Sequence, residues 1–389
     1  MIYGTRFRIV AALFVVALAA LVQPQAKAAD ATVNCPNGGG GSYATINEAL
    51  NAIGPVGPNT VTVTGTCKED VYIYNSSLIK IKASAPGVAK VDGAVDVEQS
   101  WGITLVNMDI RGDPQISAGG VVPYSHSQVT IQGCNIHDGG NGVYVDGSEV
   151  VIRNSTIQNN MWDALDVVNY SSADVGGSTL QANGSGVFID NHASVLFRGR
   201  NSILNNGSYG FFVRDLSRLY FTSGDPANFS TIQGHNIDGI TLNKQSVLEM
   251  DGGAHLIQGN GSSCSPPEQD CGGIFAIRNS TIRINGANIS GNHGSGISVY
   301  QGIDVALSSS TISNNSGDGV HLAQISIGDF NFMSLPGYND NIITGNGGAS
   351  VFCDKTSLAV GDLSRIHKKK CENIEGSDGN DHHGDHDGH

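Results

Sequence analysis

The chain is 389 residues long, only 14% of them charged, with 52 glycines and a formal net charge of −14. That profile excludes a charged helical protein and fits a glycine-punctuated β-solenoid. The acidic balance argues against nucleic acid and anionic membrane surfaces as partners, and a polyanionic substrate would need cations or a local basic patch.

Residues 1–28 read as a secretory signal peptide. Arg6 and Arg8 precede an apolar run from Ile9 to Val22, and Ala26-Lys27-Ala28 offers small residues at a cleavage site. No later segment is long and apolar enough to cross a bilayer, so an exported protein, periplasmic or extracellular, is expected, free of the membrane after cleavage and monomeric. Seven cysteines in an exported chain invite disulfides. Local pairing gives Cys35–Cys67, Cys264–Cys271 and Cys353–Cys371. Cys134 is left over where other repeats carry Ser or Ala, and reads as a small buried thiol.

Residues 29–59 read as an N-terminal cap. Within Tyr43 to Ile53, apolar residues fall at 46, 49, 50 and 53 with a Gly54-Pro55 stop, which predicts an amphipathic helix. Such a helix would cover the apolar end of a solenoid. Residues 60–362 are expected to form that solenoid. Its early turns are less regular and include Ile79-Lys80-Ile81 and Ile103-Thr104-Leu105.

From Gly120 to Phe352 one phrase keeps returning. CNIHDGGNGVYV (134–145), STIQNNMWDALDV (155–167), STLQANGSGVFI (178–189) and STISNNSGDGVHL (310–322) are examples. Gly or Ala anchors fall at 120, 142, 164, 186, 210, 239, 273, 296, 319 and 349, mostly 22 to 24 residues apart. A repeat of this period signals a coil in which each copy is one turn. No helical apolar period appears. Two short β-branched strands per repeat do, such as Val129-Thr130-Ile131 and Val143-Tyr144-Val145, with Gly and Asn at the corners. Stacking in register would form an Asn ladder from 160, 206, 292 and 315. It would also fill the interior with aliphatics at 157, 180, 203, 232, 289, 312 and 342.

This pattern resembles the right-handed parallel β-helix of the pectin-lyase-like superfamily. The expected fold class is therefore all-β, a single right-handed parallel β-helix with an N-terminal capping helix. The opening helix and the Val61 to Ile73 phrase look like the start of pectin methylesterases, but Cys67 replaces the aromatic of their Gly-x-Tyr-x-Glu turn and their later catalytic phrases are absent. The ordered phrases of polygalacturonases and the Asp-Pro-His-Asp ending of mannuronan epimerases are missing too. The resemblance thus implies the fold and leaves the activity open.

Candidate site residues come from counting along the strand. Offsets +1 and +3 from each anchor are aliphatic or Phe and should point inward, so offset +2 points outward. That column reads Val122, Tyr144, Asp166, Phe188, Phe212, Thr241, Phe275, Ser298 and His321. Sugar rings pack on aromatic rings, and in relatives of this fold extended glycans lie along such surfaces. Substrate-binding candidates are Tyr144, Phe188, Phe212, Asp146 and Arg214; catalytic candidates are Asp166, Asp163 and Asp190. The opposing expectation is that loops at 224–230, 261–271 or 328–340 fold over the rings. Asp318 and His321 repeat the spacing of Asp163 and Asp166.

Two functions follow. The first is binding of an extracellular or cell-envelope polysaccharide along the outward face. The alternative is a polysaccharide lyase, glycoside hydrolase or epimerase using the same aspartates. No cofactor is required, although carboxylates on adjacent turns could share calcium. Residues 363–389 read as a disordered tail. Its His382, His383, His386 and His389 could loosely collect a transition metal, with no spacing that fixes a geometry.

Overall fold

The structure, a computed structural model, describes residues 28–114, 119–223, 228–264, 271–330, 341–361, 363, 366 and 368–375. The signal-peptide reading on 1–27 and the histidine tail both lie outside these residues.

Each turn of the coil carries three short strands where the sequence suggested two. Asn141–Asp146, Glu149–Arg153 and Thr156–Gln158 form one turn; Asp163–Val168, Ser172–Gly176 and Thr179–Gln181 form the next. The third strand is three or four residues long, too short to show a period of two. Named strands pair in parallel, with Val143 opposite Leu165, Val150 opposite Ala173 and Ile157 opposite Leu180. One ladder is a 13-stranded sheet, here called the front sheet; the other two make up a 26-stranded sheet. The molecule is a single right-handed parallel β-helix.

The interior is a stack of like residues. Ile157, Leu180, Ile203, Ile232, Ile257, Ile289 and Ile312 lie above one another and are fully buried. The expected last member, Ile342, is instead 56% exposed, and Ile343 takes the inward place opposite Ile312. Two isoleucines stand side by side there, and a one-residue slip along a strand exchanges its two faces. Glycine at the anchors has a steric cause: a Cβ on Gly142 would stand 2.2 Å from the Ile157 methyl and 2.6 Å from the Ala164 carbonyl oxygen.

Turning three corners per coil strands backbone N–H groups inside the molecule, where each needs a partner. Side chains of the following turn supply them. The Asn ladder contains the expected Asn160, Asn206, Asn292 and Asn315, joined by Asn183, Asn260 and Asn346, with His235 standing in for one rung. At a second corner Ser100, Ser127, Ser148 and Ser171 do the same, each hydroxyl taking the N–H of the turn before.

The helix spans Ile46–Ile53, starting later than the sequence suggested because Thr45 is extended and caps it. The Glu69 carboxylate accepts from the Ile46 and Asn47 amides, placing an anion at the helix N-terminus. Ile46 and Ala49 bury themselves against the first turns. Within the stretch read as cap, Asp30–Cys35 already pairs with Val56–Cys67. Within the stretch read as tail, Lys369–Lys370 and Ile374–Glu375 still extend the ladders.

All three expected disulfides are present, and Cys134 is free and buried. Burial pushes its thiol up to about 11, so almost no thiolate exists at neutral pH. Thiol titration should therefore find no reactive group in the native protein and one after denaturation without reductant; rapid native labelling would contradict the packing. Among the described residues no helix is long and apolar enough to cross a membrane.

Candidate functional site

The front sheet reproduces the outward column. Tyr144 lies opposite Asp166, Asp166 opposite Phe188, Phe188 opposite Phe212, and the register continues through Thr241, Phe275, Ser298 and His321. The column also extends beyond the expected ends: Tyr72 and Asp96 precede Val122, and Phe352 and Lys370 follow His321. It is not uniformly open. Val122, Thr241, Ser298 and His321 are buried, while Tyr144, Asp166, Phe188, Phe212 and Phe275 are half-buried. A two-residue period gives the direction of a side chain, and neighbouring bulk sets its exposure.

The residues around Asp166 converge. Asn141, which the sequence reading missed, holds both aspartates: its amide donates to Asp166 Oδ2 at 3.2 Å, and its Oδ1 accepts from the Asp163 backbone N–H at 3.0 Å. Asp166 Oδ1 is buried with no hydrogen-bond partner. Burial, then the nearby Asp163 charge, pushes the Asp166 carboxyl up to about 7. Burial raises Asp163 to about 6, against a hydrogen bond from Ser185. Both therefore titrate near neutrality, far from the usual carboxylate range.

One turn further, the Phe188 and Phe212 rings stack with centroids 5.7 Å apart and planes 10° apart. Arg214 lays its guanidinium 4.9 Å from the Phe188 centroid and donates to Asp190 at 2.7 Å. Asp190 is thus already paired, which weakens its case as a free acid or base. Asp146 accepts from Asn169 at 2.8 Å and stands against the Tyr144 hydroxyl. Tyr209 adds a ring 5.0 Å from Phe212.

The position before each anchor supplied the signal that was overlooked. Asn141, Asp163 and Ser185 share that column, as do Asp238 and Asp318 further on. Asp238 accepts from Thr241 at 2.6 Å and from the Gly272 amide at 2.8 Å. Asp318 is bonded to His321 Nδ1 at 2.9 Å and to the Ala349 amide at 2.6 Å. These two aspartates tie one turn to the next. The Asp163/Asp166 pair departs from that pattern by leaving a carboxylate oxygen unanswered.

For metal, the structure offers little on this face. Among the described residues, the grouping of three potential ligand atoms within 4.8 Å is Cys35, Cys67 and Glu69, and both sulfurs are in a disulfide. The front aspartates do not form the close oxygen set a calcium cage needs.

Comparison with known proteins agrees with the geometry. Residues 93–254 match the family described as right handed beta helix region. The fold is a right-handed parallel β-helix. No curated protein sequence matches the chain. Among solved structures, this β-helix is similar to the catalytic domain of a GH87 alpha-1,3-glucanase in complex with tetrasaccharides. That likeness has 13% identity, covers 88% of this chain and 68% of that one, and has a TM-score of 0.53. It is also similar to the A-module of the Azotobacter vinelandii mannuronan C-5 epimerase AlgE6, with 13% identity, 85% and 92% coverage, and a TM-score of 0.48. At such identities these are likenesses of fold.

Proposed function

We propose that this β-helix is an exported protein that binds a neutral polysaccharide along its front sheet, across Tyr144, Asp166, Phe188 and Phe212. The observation that carries the reading is the column itself: half-buried rings and a half-buried carboxyl on successive turns, ~4.8 Å apart. Half-buried rings offer apolar area to sugar C–H groups, and the accessible part of the Asp166 carboxyl offers polar contact to a sugar hydroxyl. A neutral glycan follows from the charge. Asp96, Asp146, Asp163, Asp166 and Asp190 border the column, and Arg214 is already given to Asp190. Three disulfides support export to an oxidising compartment. The glucanase of similar fold was captured with tetrasaccharides.

Retention on immobilised neutral polysaccharides tests this. Phe188→Ala and Phe212→Ala should each weaken binding by about 1–2 kcal/mol. Unchanged retention in both variants and in Asp166→Asn would place any ligand elsewhere.

A second reading rests on Asp166 and Asp163 both titrating near neutrality. Asp166 would donate a proton to a glycosidic oxygen while Asp163 takes one from the attacking water, leaving a new reducing end and an alcohol. Asp166→Asn would then cut turnover by roughly 10²–10⁴-fold with binding retained. Unsaturated ends appearing together with the new reducing ends would exclude hydrolysis.

A further inference from the structure

Away from the rings of the front sheet, a second column of side chains runs along the corner where each front strand ends. Gln128 lies opposite Glu149, Glu149 opposite Ser172, and Ser172 opposite Ser194. Counting two residues back in each turn puts His126, Gly147, Tyr170 and His192 in one line. His126, Tyr170 and His192 all hold a left-handed backbone, with φ of 67°, 61° and 64°, and Gly147 has φ 56°. Each side chain in this line leaves the coil sideways into solvent; Tyr170 is 74% exposed.

The rings stack where they are adjacent. Tyr170 and His192 lie 4.8 Å apart at 17°. The other face of Tyr170 looks towards the preceding turn, where Gly147 has no side chain. Crowding does not demand glycine there, since a Cβ on Gly147 would meet nothing within 4 Å. The result is a ring stack with one rung empty, bounded by His126 and Tyr170. It opens as a cleft of about 390 Å³ whose rim includes Trp101, Gln128 and Glu149. Trp101 is 55% exposed, and the Gln128 amide donates to the Glu149 carboxylate at 3.2 Å.

We infer that this cleft is a second, separate binding slot for one pyranose residue of a glycan, inserted at the Gly147 rung between His126 and Tyr170. The dimensions favour a ring. The flanking rungs are two spacings apart, ~9.6 Å, whereas a flat ring touching neighbours on both faces needs roughly 7–8 Å. The remainder suits the greater thickness of a sugar chair. The rim chemistry favours hydroxyls over a plain aromatic: Glu149 accepts, Gln128 both donates and accepts, and Trp101 offers a further face. No residue of this slot belongs to the front column, so either site can fail without the other.

The two tryptophans separate the sites, because Trp101 borders the slot and Trp162 precedes Asp163. In a Trp162→Phe background, emission reports Trp101 alone. Cellohexaose, laminarihexaose and mannohexaose are titrated, with hexagalacturonate as an acidic control. At least one neutral hexasaccharide should shift Trp101 emission saturably. Tyr170→Ala should weaken that response by about tenfold, the upper range for a stacked ring. Gly147→Tyr, which puts a ring on the empty rung in the left-handed backbone conformation Tyr170 already adopts, should abolish the response in protein that still melts cooperatively. Phe212→Ala should leave it unchanged. No emission change with any neutral hexasaccharide overturns the slot, and so does an unchanged midpoint in either Tyr170→Ala or folded Gly147→Tyr.

Discussion

Asn183→Ala should cost about 3–5 kcal/mol, more than any single change on the front face. Asn183 Oδ1 accepts from the Asn160 backbone N–H at 3.0 Å and from its side-chain amide at 2.9 Å. Its own amide donates to Gln181 O at 2.9 Å, Asn206 Oδ1 at 3.1 Å and Ile157 O at 3.2 Å. Alanine would remove every one of these bonds and leave the buried Asn160 N–H without a partner, while Gln181 O keeps the Asn159 N–H. Water cannot replace them, because the column lies inside the corner. In a solenoid each turn leans only on its neighbours, so the damage should spread as local opening rather than uniform loss. Hydrogen exchange should show the Asn160 amide losing protection first, and thermal melting should fall by roughly 5–15 °C. Asn169→Ala is the control: that side chain bonds Asp146 and Asn191 in solvent and should shift stability by less than ~1 kcal/mol. Equal effects of the two changes would mean that the ladder does not hold the corner.

The ladder was legible because a coil makes the same physical demand at every turn. A buried corner N–H needs an acceptor at a fixed place, so Asn160, Asn206, Asn292 and Asn315 recur at fixed distance from the anchor. The same logic fixed the front column from Tyr144 to His321. It failed where a turn departs from its neighbours. Ile343 replaced Ile342 because two adjacent isoleucines compete for the place and only one of them faces inward. His235 was not visible as an Asn substitute because its role rests on Nδ1 accepting from Asn206 N at 3.2 Å, a geometry another residue type can copy.

Exposure was the other blind spot. Thr241, Ser298 and His321 occupy outward positions yet are buried, which no alternation pattern reports. Asn141 went unnoticed because it lies outside the +2 column, although it bonds the Asp166 carboxyl and the Asp163 backbone N–H. An empty rung is harder still to see: Gly147 reads as one more turn glycine until Tyr170 is found facing it.

Raising the pH from 4.5 to 8 should lower the stability of the wild-type protein relative to Asp166→Asn. The sign follows from the direction of the shift. Burial and the neighbouring Asp163 raise the Asp166 carboxyl from 3.8 to about 7. The folded state therefore keeps a proton that the unfolded chain releases near pH 4. The stability this group contributes is complete below pH 4, declines as pH rises through the interval, and is lost above about 7. Asp163, raised to about 6 by burial, adds to the same decline. The full Asp166 shift corresponds to about 4 kcal/mol; solvent reaches part of the side chain, so about 1–2 kcal/mol is the expected gain of Asp166→Asn at pH 8. Asparagine keeps the bond to Asn141 available through its carbonyl oxygen and carries no charge to desolvate. Urea midpoints of both proteins at pH 4.5 and pH 8 measure the effect. A variant no more stable than wild type at pH 8 would mean that Asp166 is solvated and its carboxyl ordinary. A gain confined to high pH would show that the chain holds a carboxylate on its front face at a cost in stability, as expected of a group retained for what it does to a ligand.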